Sequence, residues 1–135
     1  MLGGLGIATD GLTLVDGSGL SDSDKVTAQL LTALLAKASG PDAPQLRPLL
    51  AGLPVAGYSG TLEFRYQRPT NGSSAAGVVR AKTGTLHDVN ALAGVAVDTD
   101  GRLLVFALVA NGTKDATAAE YGLDRLAAAV AACGC

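Results

Sequence analysis

The fold is decided by the stretch VVRAKTGTLHDVNALAGVAVDTDGRLLVFALVAN, residues 78–111. It contains three largely apolar runs, at 78–82, 89–97 and 103–111, which are typical of β-strands. Residues 98–101, DTDG, have the composition of a hairpin turn between the second and third runs. The third run is apolar at successive positions, which predicts a central strand covered on both faces. We therefore predict three antiparallel strands.

Amphipathic helices are predicted before and after these strands. The first lies in segment 21–40, with Ser21 or Ser23 as its cap, acidic residues in its first turn and Gly40-Pro41 at its end. Its apolar residues recur at helical spacing: Val26, Leu30, Leu31, Leu34, Leu35 and Ala38. A second stripe lies in segment 115–134: Leu123, Leu126, Ala127 and Val130. The predicted fold class is α/β of the α+β kind, with helices packed on an antiparallel sheet.

The other segments predict shorter elements. LTLVD at 12–16 reads as a short strand. Residues 40–60 carry four of the five prolines and read as a connection with one short helix around 46–50. TLEFRY at 61–66 is compatible with a helical turn or a strand, and 67–77 is predicted to be a polar loop with little to bury.

The composition argues against several classes of protein. Ten basic and twelve acidic residues give a net charge of −2 without a basic block, which argues against nucleic-acid binding. No segment is apolar enough to span a bilayer, and any export signal is expected to lie outside these 135 residues. Cys133 and Cys135 lack the second ligand pair of a structural zinc site, so they read as two end thiols or an extracytoplasmic disulfide. No metal or cofactor is predicted.

A polar corner, Lys82-Thr83-Gly84-Thr85, interrupts the apolar pattern of residues 78–97. The simplest interpretation is a surface lysine followed by a hairpin turn. However, Lys82 would end an apolar strand, where a cation is disfavoured unless something uses it. Gly84 allows a backbone or a ligand to come close. Because Thr83 and Thr85 are two apart, they would point to one side of a strand and could jointly hold a carboxylate.

Five blocks of sequence carry a wider resemblance. They are LVDGSGLS at 14–21, LPVAGYSGTL at 53–62, VRAKTGTL at 79–86, ALAGVAV at 91–97 and GRLLVFALVANG at 101–112. In order and spacing they resemble the C-terminal part of D-alanyl-D-alanine carboxypeptidases of the penicillin-binding protein 4 type, the S13 serine peptidases. In penicillin-binding proteins, Lys-Thr-Gly is the third motif after Ser-x-x-Lys and a Ser-x-Asn motif. The resemblance covers nearly the whole chain from Leu12.

The resemblance implies acyl transfer. In this family a serine attacks the peptide bond between two D-alanines of a peptidoglycan stem peptide outside the cytoplasm, and water releases the acyl-enzyme; β-lactams mimic the substrate. Lys82 would supply positive charge and aid proton movement, and the Thr85 backbone N–H would form half of an oxyanion hole. The hydroxyls of Thr83 and Thr85 would hold the terminal carboxylate. Further substrate contacts are implied for Gly84, Leu20 and Leu86, with Leu20 lining a side-chain pocket.

Two features depart from the family pattern. Asp22 follows DGSGLS, where family members usually carry an arginine for an acidic group of the stem peptide; the alternative is an ordinary first-turn helix acid. Ser-x-x-Lys and Ser-x-Asn occur nowhere in the 135 residues, so the nucleophile, its base and the second motif are missing. We expect residues 1–135 to be the C-terminal portion of one penicillin-binding domain, inactive by itself.

Other interpretations remain open. His87, the only histidine, could suggest a Ser-His pair, but a polar turn residue is the better interpretation. The chain could be a non-enzymatic remnant that binds a muropeptide or a partner through a strand edge. It could also be an unrelated protein with a coincidental Lys-Thr-Gly. A partial domain should leave apolar surface uncovered, which would favour self-association.

Overall fold

A three-stranded antiparallel sheet with helices on both faces forms the centre of the fold, in a computed structural model that describes residues 2–134. The strands are β1 (Val79–Leu86), β2 (Val89–Val97) and β3 (Leu103–Asn111), in the spatial order β1-β2-β3. The helices are α1 (Ala28–Ser39), α2 (Arg47–Ala51) and α3 (Ala116–Ala131). The predicted fold class, an antiparallel sheet covered by helices, is confirmed.

The main core lies between the sheet and α3. Alternate residues of the strands point to this face, including Val79, Leu92 and Phe106. On α3 they meet a stripe of small and apolar residues: Leu123, Ala127, Ala128 and Ala131. Alanines let the helix approach the sheet closely, so few bulky side chains are needed to fill the space. On the opposite face, Leu31 of α1 lies near Ala91 and Val109 around one cavity.

Gly94 sets how closely β1 and β2 approach. The two strands pair without a bulge, and Gly94 lies opposite Ala81. A Cβ atom at Gly94 would collide with the carbonyl oxygen of Arg80 and with Ala81. The strands can therefore take this spacing only with glycine at this position.

The segment before β1 closes the first half of that strand. The Ala56 N–H donates to the Val79 carbonyl at 3.0 Å, and the Ala81 N–H donates to the Pro54 carbonyl at 2.9 Å. The same segment is tied to α3 because the Arg65 guanidinium donates to the fully buried Asp124 carboxylate, at 2.6 Å from Nη2 and 3.1 Å from Nε. A bidentate contact of this kind holds both partners in one geometry.

The start of α1 differs from the prediction. The helix begins at Ala28, and the Thr27 side chain accepts a hydrogen bond from the Leu30 N–H. Neither Ser21 nor Ser23 is the cap, and no acidic residue lies in the first turn. The physical reason is that Lys25 is held in an extended bridge with Thr13, which prevents a helix there. Gly40 ends the helix as predicted.

The predicted strand at 12–16 is wrong as well. Only Thr13 pairs, through two backbone hydrogen bonds of 2.9 and 2.8 Å with Lys25. Residues 14–24 form a loop that is closed at its neck by this bridge and by the Val15 N–H, which donates to the Asp24 carboxylate at 2.8 Å.

The apolar run 103–111 does not form a central strand. β2 occupies the centre, and β3 is an edge strand of the described sheet. Both α1 and α3 contact β3. Its continuous apolar pattern therefore reflects helices that contact it from both faces of the sheet, which does not require a strand on both sides.

Smaller differences concern the connections. Segment 61–66 contains a 3-10 turn, Gly60–Leu62, which is one of the two predicted forms. The loop 67–77 contributes more to the core than its polar composition indicates, because the Ala75 side chain is buried there. Leu126 of the predicted stripe is 53% exposed, since Leu123 and Ala127 define the buried side of α3. The short helix predicted around 46–50 is present as α2.

No helix among residues 2–134 has the length and apolarity needed to cross a membrane.

Candidate functional site

The Lys-Thr-Gly corner lies inside β1, which runs on to Leu86. The prediction that Lys82 ends the strand is therefore wrong. The backbone groups of Val79 and Ala81 point away from β2, because they form hydrogen bonds with the segment before β1. Backbone groups of alternate residues point to the same edge of a strand, so those of Thr83 and Thr85 also point away from β2. In the described part of the chain, no backbone hydrogen bond continues along this outer edge beyond Ala81. The Thr85 N–H thus lies on an open strand edge.

A groove of about 390 Å³ runs along this open edge. One wall is β1 from Lys82 to Leu86, and the other is the loop 18–20. The groove brings together all the residues that the sequence predicted for the site: Leu20, Lys82, Thr83, Gly84, Thr85 and Leu86. These residues come from segments more than sixty positions apart, so the fold has assembled them.

Lys82 is an exposed cation on the groove. Its Nζ donates to the Thr83 carbonyl at 2.8 Å, which places the ammonium at the outer edge of β1. No carboxylate within residues 2–134 forms an ion pair with it. An ammonium without an internal counter-charge is available to an anion or to a reacting group in the groove.

The two threonines lie on one side of β1, as predicted from their spacing. Thr83 pairs across the sheet with Leu92, and Thr85 pairs with Asn90. The Thr83 hydroxyl donates to the Thr61 hydroxyl at 3.0 Å, whereas Thr85 is exposed at the groove. Together with the Thr85 N–H, this edge presents two hydroxyls and a backbone donor, which suits oxygen atoms that carry negative charge.

The loop opposite β1 is shaped by Asp16. Its Oδ1 accepts from the Ser18 N–H at 2.7 Å and from the Ser18 hydroxyl at 2.6 Å. The hydrogen bond from the Ser18 side chain, followed by that from its N–H, lowers the pKa of Asp16. Ser18 in turn accepts from the Leu20 N–H at 3.1 Å. This Asx-type turn leaves the Leu20 side chain 71% exposed at the groove.

A larger cavity of about 620 Å³ adjoins the groove. The two share Leu86, Val89 and Ala91 in their linings. Asp22, which departs from the family pattern, lines this larger cavity and belongs to no helix. The alternative of a first-turn helix acid is therefore wrong.

His87 and Asp88 form the turn between β1 and β2. The His87 side chain is 89% exposed, and its Nδ1 lies 3.4 Å from the neighbouring Asp88 carboxylate. Asp88 takes a left-handed backbone conformation, φ 58°, that suits such a turn. Among residues 2–134, no hydrogen bond joins His87 to a serine, and the arrangement is that of a polar turn residue.

Two residues near the site were not predicted. Asn90, opposite Thr85, is only 2% exposed, and its Nδ2 donates to the Thr113 hydroxyl at 2.7 Å. Its position as the one amide within the apolar run 89–97 is a signal that the sequence does contain. Thr61 contacts Thr83 from 22 positions away, which no local pattern indicates. Among residues 2–134, no group of three or more His, Cys, Asp or Glu could hold a metal ion, and Cys135 lies outside the described residues.

Comparisons with known proteins relate the chain to one family. The model of the D-Ala-D-Ala carboxypeptidase 3 (S13) family matches residues 1–130. Carboxypeptidase DacB of Mycolicibacterium smegmatis is 47% identical over 131 residues, which cover 97% of this chain and 28% of that protein. A D-alanyl-D-alanine carboxypeptidase of Actinomadura sp. is 46% identical over 116 residues, which cover 82% of this chain and 20% of that protein.

The fold agrees with these relatives. Penicillin-binding protein 4 of Haemophilus influenzae, solved in complex with a β-lactam, superposes with a TM-score of 0.78 at 28% identity. The match covers 93% of this chain and 30% of that one, so the chain spans less than a third of this protein and of the two carboxypeptidases above. The hypothesis of an unrelated protein with a coincidental motif is wrong. The chain belongs to the D-Ala-D-Ala carboxypeptidase 3 (S13) family of peptidases.

Proposed function

We propose that this chain supplies one wall of the active site of a serine-type D-Ala-D-Ala carboxypeptidase that acts on peptidoglycan stem peptides outside the cytoplasm and binds β-lactams. The observation that carries the proposal is the open edge of β1, where Lys82, Thr83 and Thr85 face a groove together. The named relatives and the β-lactam complex of the Haemophilus protein support the substrate class.

Lys82 and Thr85 are the catalytic groups of this wall. In acyl transfer, a serine oxygen attacks the carbonyl carbon, its proton moves to a base, and negative charge develops on the carbonyl oxygen. The Lys82 ammonium, which no carboxylate of the described chain neutralises, stabilises that charge and assists proton movement. The Thr85 N–H on the open edge donates to the oxyanion, a contact that strengthens as charge builds up.

The remaining residues bind the substrate. The Thr83 and Thr85 hydroxyls hold the carboxylate of the terminal D-alanine, because both lie on one side of β1 at the groove. Gly84 leaves room for the substrate backbone beside the strand. Leu20 and Leu86 provide apolar contacts on either wall.

We further propose that residues 1–135 form the C-terminal portion of one penicillin-binding domain, completed by polypeptide that carries the serine nucleophile. Two observations support this. The relatives are more than three times longer than the matched region. In addition, β3 is an edge strand with Leu103 and Val109 exposed, and Leu126 of α3 is exposed as well. Apolar side chains beside an unpaired strand edge need a cover, and without one the chain would self-associate.

Labelling with fluorescent penicillin tests the proposal. The complete gene product should be acylated in a covalent, penicillin-competable way and should release D-alanine from a stem peptide. Residues 1–135 alone should remain unlabelled, because they contain neither Ser-x-x-Lys nor Ser-x-Asn. A complete product that binds muropeptide without acylation would instead support the non-enzymatic binding module. Acylation of residues 1–135 alone would show that the nucleophile lies within this chain.

A further inference from the structure

We propose that Thr61 is a positioning residue for carboxylate recognition, acting through the hydroxyl of Thr83. Thr61 does not line the groove. Its hydroxyl lies 3.0 Å from the Thr83 hydroxyl. The inference rests on the proposed function, because it assumes that Thr83 binds the terminal carboxylate.

The turn that carries Thr61 is held firmly. The neighbouring Leu62 is completely buried in the core, and its carbonyl accepts from the Gly57 N–H at 3.0 Å. Gly60, with φ 56°, packs against Pro54, where a Cβ atom would come within 3.1 Å of the proline ring. Further along, Arg65 is bound to the buried Asp124. The backbone that carries the exposed Thr61 side chain is therefore fixed, which keeps the Thr61 hydroxyl within reach of Thr83.

A count of protons shows how this contact serves binding. Each threonine hydroxyl has one proton to donate and lone pairs to accept with. In the structure, Thr83 donates its proton to Thr61. When a carboxylate enters the groove, Thr83 donates to the carboxylate and accepts the proton of Thr61 at the same oxygen–oxygen distance. The contact is retained with its direction reversed, and no polar group loses its partner.

The resulting chain runs from Thr61 to Thr83 to the carboxylate. A hydroxyl that accepts a hydrogen bond becomes a better donor, so the Thr61 proton strengthens the Thr83 contact to an anion. The gain depends on negative charge in the ligand. A ligand whose terminal carboxylate is esterified keeps its acyl centre but loses most of this benefit. Thr61 thus contributes to the preference for substrates with a free C-terminal carboxylate.

The experiment compares Thr61→Val, Thr61→Ser and Thr117→Val in the complete gene product. Valine keeps the shape of threonine and removes the hydroxyl, and serine keeps the hydroxyl. Thr117 is an exposed threonine in the first turn of α3 and serves as the matched control. The second-order rate of acylation is measured with penicillin G and with its methyl ester, by mass spectrometry of the acyl-enzyme.

Thr61→Val should lower the rate with penicillin G by about three- to tenfold, the range of one hydrogen bond, and leave the rate with the ester nearly unchanged. Thr61→Ser and Thr117→Val should both retain the wild-type ratio of the two rates. Equal losses with both ligands would reveal a merely structural role for Thr61 and overturn the inference, as would no loss at all. If the wild-type protein is not acylated, the proposed function itself is contradicted. If the wild-type protein is acylated but Thr61→Val behaves like Thr117→Val, only the proposed role of Thr61 is contradicted.

Discussion

The two halves of β1 use the same backbone geometry for different purposes. From Val79 to Ala81, the outer edge is closed by hydrogen bonds to Pro54 and Ala56, and the side chains on one face enter the core. From Lys82 onward, the outer edge is open and the side chains face a groove. The closed half anchors the strand, so the open half can present donors in a fixed geometry. A rigid strand is a better support for such donors than a loop.

Two glycines show the same division. Gly94 packs against the closed half, and any side chain there would collide with backbone atoms of β1. Gly84 lies in the open half, where a Cβ atom would meet only the Ala91 Cβ, at an ordinary 3.4 Å. Packing within the described chain therefore requires glycine at position 94 but tolerates a methyl group at position 84.

The largest effect is expected for Gly94→Ala. The new methyl group overlaps the Arg80 carbonyl and Ala81, which can be relieved only by separating β1 from β2. We expect a loss of roughly 3 kcal/mol or more in the free energy of unfolding, or failure to accumulate as folded protein. Urea unfolding of the complete gene product followed by circular dichroism measures it, with Gly84→Ala as the matched control. Equal midpoints for wild type and Gly94→Ala would contradict the steric argument.

Lys82→Met should affect the open half alone. The substitution keeps an unbranched side chain of similar reach and removes the cation. Because Lys82 is exposed, the unfolding midpoint should not change. The rate of acylation by labelled penicillin should fall by about 10²- to 10⁴-fold, the range of a positioned proton-transfer group. Lys114→Met, at an exposed lysine after β3, is the control. An unchanged acylation rate for Lys82→Met would show that Lys82 is not a catalytic residue.

Gly84→Ala should separate folding from function. Its methyl group fits the sheet but occupies the groove side of β1. We expect a normal unfolding midpoint and an acylation rate reduced by roughly ten- to a hundredfold, because a displacement of about 1 Å at a reacting centre costs that much. Stopped-flow acylation with a chromogenic β-lactam gives the rate. A wild-type rate would mean that no substrate approaches the strand at this point.

The smallest effect is expected at the far end of the sheet, in the turn between β2 and β3. Burial alone would raise the pKa of Asp98. The hydrogen bond from the Arg102 N–H, the positive charge of Arg102 and the hydrogen bond from the Asp100 N–H together outweigh burial and lower the pKa. A carboxyl with a lowered folded-state pKa stabilises the fold above its unfolded-state pKa of about 4, and this contribution is lost as the pH falls through the folded value.

The melting temperature of Asp98→Asn should therefore lie slightly below that of the wild type between pH 5 and 7, and the gap should close as the pH falls from about 4 through the folded-state pKa. Thermal melts across this range measure it, with the exposed Asp10→Asn as the control. A gap that widens at low pH would have the wrong sign for this explanation.

Much of the sheet could be predicted from local pattern. The runs 89–97 and 103–111 coincide with β2 and β3, and the turn between them lies at Asp98–Gly101. The run 78–82 covers only the first part of β1, because the polar residues Thr83 and Thr85 and the intervening Gly84 interrupt the apolar pattern. They remain in the strand since β2 pairs with them in unbroken register. Here tertiary pairing overrides a weak local preference.

The candidate functional site could likewise be predicted only in part. The motif and its neighbouring blocks were visible as residue types in order, and they led to the groove residues. The partners of those residues were not visible: Thr61 reaches Thr83 across 22 positions, and Arg65 reaches Asp124 across 59. Thr13 decides where α1 begins because it holds Lys25 in an extended bridge.

The sequence by itself determined the family, the antiparallel order of three strands and the residues that face the groove. It did so because alternation and turn composition are local properties of the chain, and because five blocks of sequence resemble a known family and imply its site residues. Only the tertiary structure decided that β3 lies at an edge, that Asp22 lines a cavity and that the edge of β1 is closed before Lys82 and open after it. These features depend on which distant segments donate hydrogen bonds to which strand, and a local pattern contains no record of that.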